Sequence, residues 1–203
     1  MAGNPRVGVL ALQGDVREHI ALLSRLGADA VRVRRPDELR AVDGLVIPGG
    51  ESSVIDKLSR SFGLQGPIRA AIAAGMPMLG TCAGLIMLAD TVVDAIDGQE
   101  SFGGLDVVVR RNAFGRQAES FEAELEVAAF GGDPVSAAFI RGPVVESVGP
   151  AATPLAALDD GRVVAVEQGT LLGLSFHPEI SGETRFHQRF LDAVEQWRHD
   201  LAA

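Results

Sequence analysis

A single cysteine, Cys82, stands among 203 residues. That excludes an internal disulfide, and with it the cysteine framework of small exported domains; a lone thiol suits a reducing cytoplasm. Cationic side chains are also in deficit, with 18 Lys and Arg against 27 Asp and Glu and a formal charge of -9. Nucleic acid and anionic membranes need clustered Lys and Arg, so neither is expected as a partner, and a small neutral or zwitterionic substrate is easier to accommodate. No apolar run approaches the ~20 residues of a membrane span. The early stretch Val7 to Leu12 is too short for an export signal and has no small-residue cleavage site. The expectation is an unexported, cytoplasmic chain that needs neither a metal nor an organic cofactor.

What is present is core. Hydrophobic residues make up 47% of the chain and mean hydropathy is +0.20, enough at this length for one large domain spanning 1–203. Over the first ninety residues short apolar runs alternate with amphipathic segments, the pattern of βαβ units and a parallel sheet. Val7 to Leu12 reads as a strand. Asp15 with Glu18 reads as a capping box for a helix carrying Val16, Ile20, Leu23 and Leu26 and ending at Gly27. Ala30 to Val33 and Gly44 to Ile47 are further strands, Ser52 to Phe62 a helix. Pro67 suits the first position of a helix capped at Gly75, and Met76 to Leu79 is a buried strand.

Beyond Asp90 the texture changes to short strand-like runs: 107–109, 121–127, 137–140, 163–166 and 171–176. They suggest antiparallel additions to the sheet. A closing helix from Glu183 to Trp197 places Phe186, Phe190 and Val194 on one face. The sequence holds no repeat, low-complexity tract or linker.

Chemistry concentrates in three places. In Gly80-Thr81-Cys82-Ala83-Gly84 an apolar strand enters Gly-x-Cys-x-Gly and leaves as an apolar helix, the logic of a nucleophile elbow with sulfur for oxygen. A sharp strand-to-helix turn needs small neighbours, and the helix N-terminus lowers a thiol pKa and offers N–H groups, Ala83 among them, to an oxyanion. A buried structural cysteine at a glycine turn would look the same locally. In His177-Pro178-Glu179, proline biases the histidine toward extended geometry, where residues two apart point to one side. The carboxylate then fixes the imidazole tautomer as a triad's third member does, although a surface turn with a solvated histidine fits the motif alone equally well. In Pro48-Gly49-Gly50-Glu51-Ser52 a glycine pair ends a buried strand, where an α/β sheet places ligands and where a second oxyanion donor can sit; an ordinary turn is the plainer reading. Arg111 and Arg141 are of the type that captures a carboxylate bidentately, as a free amino acid would require. His19, His187 and His199 fall on expected helices and read as structural or exposed.

Taken together, Cys82, Pro48 to Ser52 and the late His177-Pro178-Glu179 resemble the triad-type, class I glutamine amidotransferases, in which the nucleophile precedes the histidine and glutamate. Residues 12–19, 80–84, 111–117, 139–141 and 175–179 resemble, more narrowly, the glutaminase subunits of pyridoxal 5'-phosphate synthases, over nearly the whole chain. The resemblance implies a three-layer α/β fold, with a mostly parallel central sheet flanked by helices and antiparallel strands added in the second half. It implies Cys82, His177 and Glu179 as catalytic groups, and glutamine contacts from Gly50, Glu51, Ser52, Arg111, Ile140 and Arg141. The N–H groups of Gly50 and Ala83 would form the oxyanion hole. It also implies a partner: a barrel-shaped synthase subunit that takes the ammonia, with Gln13 to His19 near the contact and a site poorly assembled until the synthase docks. Ser53 and Gly142 depart from the commoner Thr and Ala, small for small. A glutaminase of another pathway, a cysteine peptidase on a similar fold and a non-catalytic binding module are the competing readings.

Overall fold

The computed structural model describes residues 3–111 and 120–202. Its first half is the expected βαβ alternation: β1 (Arg6–Leu10), α1 (Val16–Arg25), β2 (Asp29–Val33), α2 (Pro36–Leu39), β3 (Gly44–Ile47), α3 (Ser52–Ser61), α4 (Gln65–Ala73), β4 (Met78–Thr81) and α5 (Ala83–Leu88). The second half carries β5 (Ala89–Val93), β6 (Leu105–Arg110), β7 (Phe121–Leu125), β8 (Val135–Phe139), β9 (Val144–Val148), β10 (Thr153–Ala157), β11 (Val163–Gln168), β12 (Leu171–Leu174), α6 (Pro178–Ser181) and α7 (Arg185–Ala202).

The main sheet runs β2-β1-β3-β4-β12-β11-β9-β6-β5, with β10 on β11. From β2 to β12 every pairing is parallel; β12–β11, β11–β9, β11–β10 and β9–β6 are antiparallel. Two features were not anticipated. β12, a late strand, pairs parallel with β4 at the centre of the sheet, and β5 pairs parallel with β6 at the far edge. β7 and β8 form a separate antiparallel pair.

Alternation along the strands makes the three layers. Leu45, Ile47 and Met78 face one apolar cluster with Ile55 of α3, Ile68 of α4 and Leu85 of α5, while Val46 and Leu79 face another with Leu23 of α1 and Phe186, Phe190 and Val194 of α7. The shared face expected of α7 is therefore its core face, and each such fully buried side chain contributes about 1.5–3 kcal/mol. α7 can approach closely because a Cβ on Gly44 would lie 2.6 Å from Val194 Cγ2.

Local signals differ from the structure in two instructive places. Asp15 precedes α1 but makes no side-chain cap; its carboxylate turns toward His177 instead. α4 begins at Gln65, two residues before Pro67, whose absent N–H is harmless anywhere in a first turn; Gly75 ends the segment with φ 84, as a left-handed cap requires. No helix among the described residues is long and apolar enough to cross a membrane.

Candidate active site

β4 and β12 lie side by side with Thr81 opposite Leu174, so both strands end at the same edge of the sheet. Cys82 follows immediately, its N–H donating to the Leu174 carbonyl at 2.7 Å. It has φ 49, a left-handed conformation that costs a non-glycine residue energy and turns the chain abruptly from β4 into α5. The flanking glycines are steric necessities. A Cβ on Gly80 would lie 2.5 Å from the Gly84 carbonyl carbon, and one on Gly84 would lie 2.0 Å from the Ile47 oxygen.

His177 reaches the same edge three residues beyond β12, its N–H donating to the Ala138 carbonyl of β8 at 2.9 Å. The ring is nearly buried, and its Nδ1 lies 2.7 Å from Glu179 Oε1. The pairing comes about differently from the extended geometry expected: His177 caps α6 and Glu179 sits inside that short helical turn. Burial alone would lower the His177 pKa, but the nearby Cys82 sulfur and the Glu179 carboxylate hydrogen-bonded to the ring raise it to about 10. Burial raises the Glu179 pKa, against the pull of His177. Asp15 adds a second carboxylate, with Oδ2 3.5 Å from His177 Nδ1.

Asp15, His177 and Glu179 each offer a ligand atom within 4.8 Å of one another. The 2.7 Å contact between His177 and Glu179 is shorter than the roughly 3 Å that separates two donors on one metal at ~2.1 Å, so that pair is built as a hydrogen bond.

The Gly49–Gly50 turn closes the site from β3. A Cβ on Gly49 would lie 2.3 Å from His177 Cε1, and Gly50 has φ 152. Two residues of the α1 loop pin this turn: Asp15 N–H donates to the Gly49 carbonyl at 3.2 Å, and Gln13 Oε1 accepts from Glu51 N–H at 2.7 Å.

Beside it, Glu51 Oε1 accepts from Arg111 Nη2 at 2.7 Å and from Ser53. Arg111 is 8% exposed and also donates from Nη1 to Gln99 Oε1 at 2.8 Å, while Gln99 Nε2 donates to Ser52 Oγ at 3.1 Å. The structure thus joins Glu51, Ser52 and Arg111 in one network. Ile140 and Arg141 stand apart from it at the end of β8; Arg141 is exposed with φ 48 and has no hydrogen-bond or ion-pair partner among the described residues. The rest of the segment that begins at Arg111, 112–117, lies outside the described residues.

Sequence reasoning gave no role to Gln99, and it read Asp15 only as part of a helix cap and His19 only as structural or exposed. A signal for the last existed: His19 shares the i, i+3, i+4 face of α1 with Leu22 and Leu23, and all three are buried. His187 is buried with its i+4 neighbour Leu191, whereas His199 is exposed.

Comparison with known proteins is consistent along the chain. The profile of the SNO glutamine amidotransferase family matches residues 9–196. A pyridoxal 5'-phosphate synthase subunit PdxT of Leifsonia xyli subsp. xyli is 71% identical over 194 residues, covering 96% of this chain and 98% of that protein. The PdxT of Clavibacter michiganensis subsp. michiganensis is 66% identical over 191 residues, covering 94% and 91%. A crystal structure described as a glutamine amidotransferase superposes with a TM-score of 0.86 at 44% identity, covering 93% of this chain and 98% of that one.

Proposed function

The chain belongs to the SNO glutamine amidotransferase family, and from that premise we propose that it is the glutaminase subunit of a pyridoxal 5'-phosphate synthase, with Cys82, His177 and Glu179 as its catalytic groups. The reaction converts L-glutamine to glutamate and ammonia. The Cys82 thiolate attacks the side-chain amide carbon, and the N–H groups of Ala83 and Gly50 hold the resulting oxyanion. His177 gives its proton to the departing ammonia. It then takes one from water, which hydrolyses the glutamyl thioester and restores the thiol. Glu179 fixes the His177 tautomer and stabilises the imidazolium.

The observation that carries this reading is the His177 ring itself, with the Cys82 sulfur near it and a buried carboxylate hydrogen-bonded to its Nδ1. A cysteine nucleophile reacts as its thiolate, and an imidazole beside it is the base that takes the thiol proton. The substrate carboxylate goes to Arg111, a reading supported by a guanidinium fixed by Gln99 and Glu51, and Gly50, Glu51, Ser52, Ile140 and Arg141 complete the glutamine contacts.

Ammonia released into water is lost to biosynthesis, so the partner is a synthase subunit that consumes it, in the cytoplasm, within a hetero-oligomeric complex. Residues 13–19 lie near that contact. Because Gln13 and Asp15 hold the Gly49–Gly50 turn, docking there reorients the oxyanion donors and raises glutaminase activity. The test is glutamate release measured with and without the synthase subunit, pyridoxal 5'-phosphate being followed by absorbance. Synthase-dependent glutamate release coupled to cofactor formation is expected; a rate unaffected by the synthase contradicts the partnership. Labelling of Cys82 by diazo-oxo-norleucine separates an enzyme from a binding module.

A further inference from the structure

The triad reading leaves a buried polar cluster without a role. The Glu179 side chain is wholly removed from solvent, and its Oε2 finds no hydrogen-bond partner among the described residues. Behind it stand two further imidazoles, His19 and His187, both at 0% exposure. His19 Nδ1 lies 2.9 Å from His187 Nε2, and His19 Nε2 lies 3.1 Å from Thr81 Oγ1 and 3.6 Å from Glu179 Oε1. Four elements therefore meet around Glu179: α1, β4, α6 and α7.

Hydrogen-bond accounting selects one tautomer. If His19 carried its proton on Nδ1, its Nε2 lone pair would face the Glu179 carboxylate, and His187 would be left with a buried N–H on Nδ1 that has no partner among the described residues. If the proton is on Nε2, it donates to Thr81 Oγ1 at 3.1 Å with its positive end beside Glu179 Oε1, 3.6 Å away and beyond hydrogen-bond distance; His187 Nε2–H donates to His19 Nδ1, and only a lone pair on His187 Nδ1 is left over. The second arrangement removes a like-polarity contact with the carboxylate. It also replaces an orphaned donor, the costlier defect, by an orphaned acceptor.

We propose that His19 is a positioning residue of the glutaminase, holding its Nε2–H against Glu179 so that the carboxylate stays ionised and aligned behind His177. This rests on the triad reading above. Burial keeps the pKa of His19 well below its usual value and that of His187 down at about 4, so both rings are neutral at neutral pH. Neutrality suits the task. A Lys or Arg in this place would form its own ion pair with Glu179 and draw the carboxylate's charge away from the imidazolium, whereas an N–H dipole orients the oxygen without competing for it. The charged and titratable groups around this axis are Cys82, Asp15 and Glu179 about His177, His19, His177 and Asp15 about Glu179, Glu18 beside Asp15, and Glu183 near His187. The position also matters mechanically. His19 lies one turn into α1, the helix whose leading loop pins the Gly49–Gly50 turn, so a shift of α1 moves the carboxylate support and the oxyanion donors together.

The experiment compares His19→Leu, His19→Gln and His19→Asn in the complete synthase complex, with Cys82→Ala as the reference for an enzyme without its nucleophile. Glutamine places an amide N–H near the Nε2 position; asparagine reaches only the Nδ1 position. His19→Leu is expected to lower kcat about 10-fold with KM nearly unchanged, as loss of an orienting partner does. The alkaline limb of its kcat/KM profile should fall by about half a unit or more, because a less constrained carboxylate supports the His177 imidazolium less well. His19→Gln should restore both. If His19→Leu does not fold, the contrast between Gln and Asn decides: Gln retains the wild-type limb and most of kcat, and Asn does not. A wild-type profile in His19→Leu, or equal behaviour of Gln and Asn, overturns the proposal while an inactive Cys82→Ala leaves the triad standing. Full turnover in Cys82→Ala would instead overturn the triad.

Discussion

Thr81 and Leu174 stand opposite each other at the carboxyl ends of two adjacent parallel strands, and that pairing is what brings a thiol and an imidazole together. The two motifs are 95 positions apart in the chain, Cys82 to His177. Once β12 inserts beside β4 in this register, the residue after one strand and the third residue after the other share an edge. The site is a consequence of the sheet.

The elbow should tolerate no side chain at Gly84. A Cβ there would meet the Ile47 carbonyl at 2.0 Å, in backbone that cannot yield cheaply. Gly84→Ala is expected to destabilise by about 2 kcal/mol or more. Gly66, in α4, has nothing within 4 Å of a Cβ and a negative φ. Gly66→Ala should be neutral or stabilise by up to about 1 kcal/mol. Denaturant unfolding of the two variants checks the contrast; equal effects would contradict the packing described.

Gly49 lies against the imidazole ring rather than against backbone. Gly49→Ala would place a methyl 2.3 Å from His177 Cε1 and push the ring off the sulfur. Glutaminase activity should fall on the order of 100-fold, the scale of a lost catalytic contact, with a much smaller change in unfolding midpoint. A variant that keeps its rate would place His177 outside the chemistry.

The network around Arg111 predicts a different kinetic signature. Gln99 bridges Arg111 and Ser52, so Gln99→Leu frees the guanidinium and leaves Ser52 without that partner. The loss falls on substrate binding, and KM for glutamine should rise about 10-fold, roughly 1.4 kcal/mol, with kcat little changed. Steady-state kinetics in the complex would show the opposite split if Gln99 acted on the nucleophile.

Buried imidazoles make stability depend on pH in a definite direction. His187 has a folded pKa of about 4 against 6.5 when unfolded, because burial disfavours its charged form. The unfolded chain thus binds the extra proton first, and this stability is present above 6.5 and is lost as pH falls through 4. At pH 5 the loss is about 2 kcal/mol. His177 runs the other way: with a folded pKa of about 10, its contribution is full below 6.5 and is lost as pH rises through 10. Stability should peak between these windows, and His187→Leu should flatten the acid side. Thermal unfolding from pH 4 to 10 measures both slopes.

The sequence made the elbow and the layered first half readable, because each is written in residues close together: glycines at fixed offsets, alternating strands and helices. It also put Glu179 beside His177, but through an extended geometry that the structure replaces with the helical turn of α6. Short, locally ambiguous segments were not readable. β5, β9 and β10 have no strong period, and their strand character comes from ladders to distant partners. Asp15 has the spacing of a helix cap, yet a histidine from the other half of the chain competes for its carboxylate. His19 and His187 were legible as buried-face positions, but their contact with each other and with Glu179 depends on how α1, α6 and α7 pack.

The central claim is that the sulfur of residue 82 attacks glutamine. Glutamate release by Cys82→Ala in the synthase complex tests it most directly, with glutamine binding measured in parallel by calorimetry. Binding that persists while glutamate production disappears is the predicted result. Turnover at the wild-type rate would contradict the account at its root.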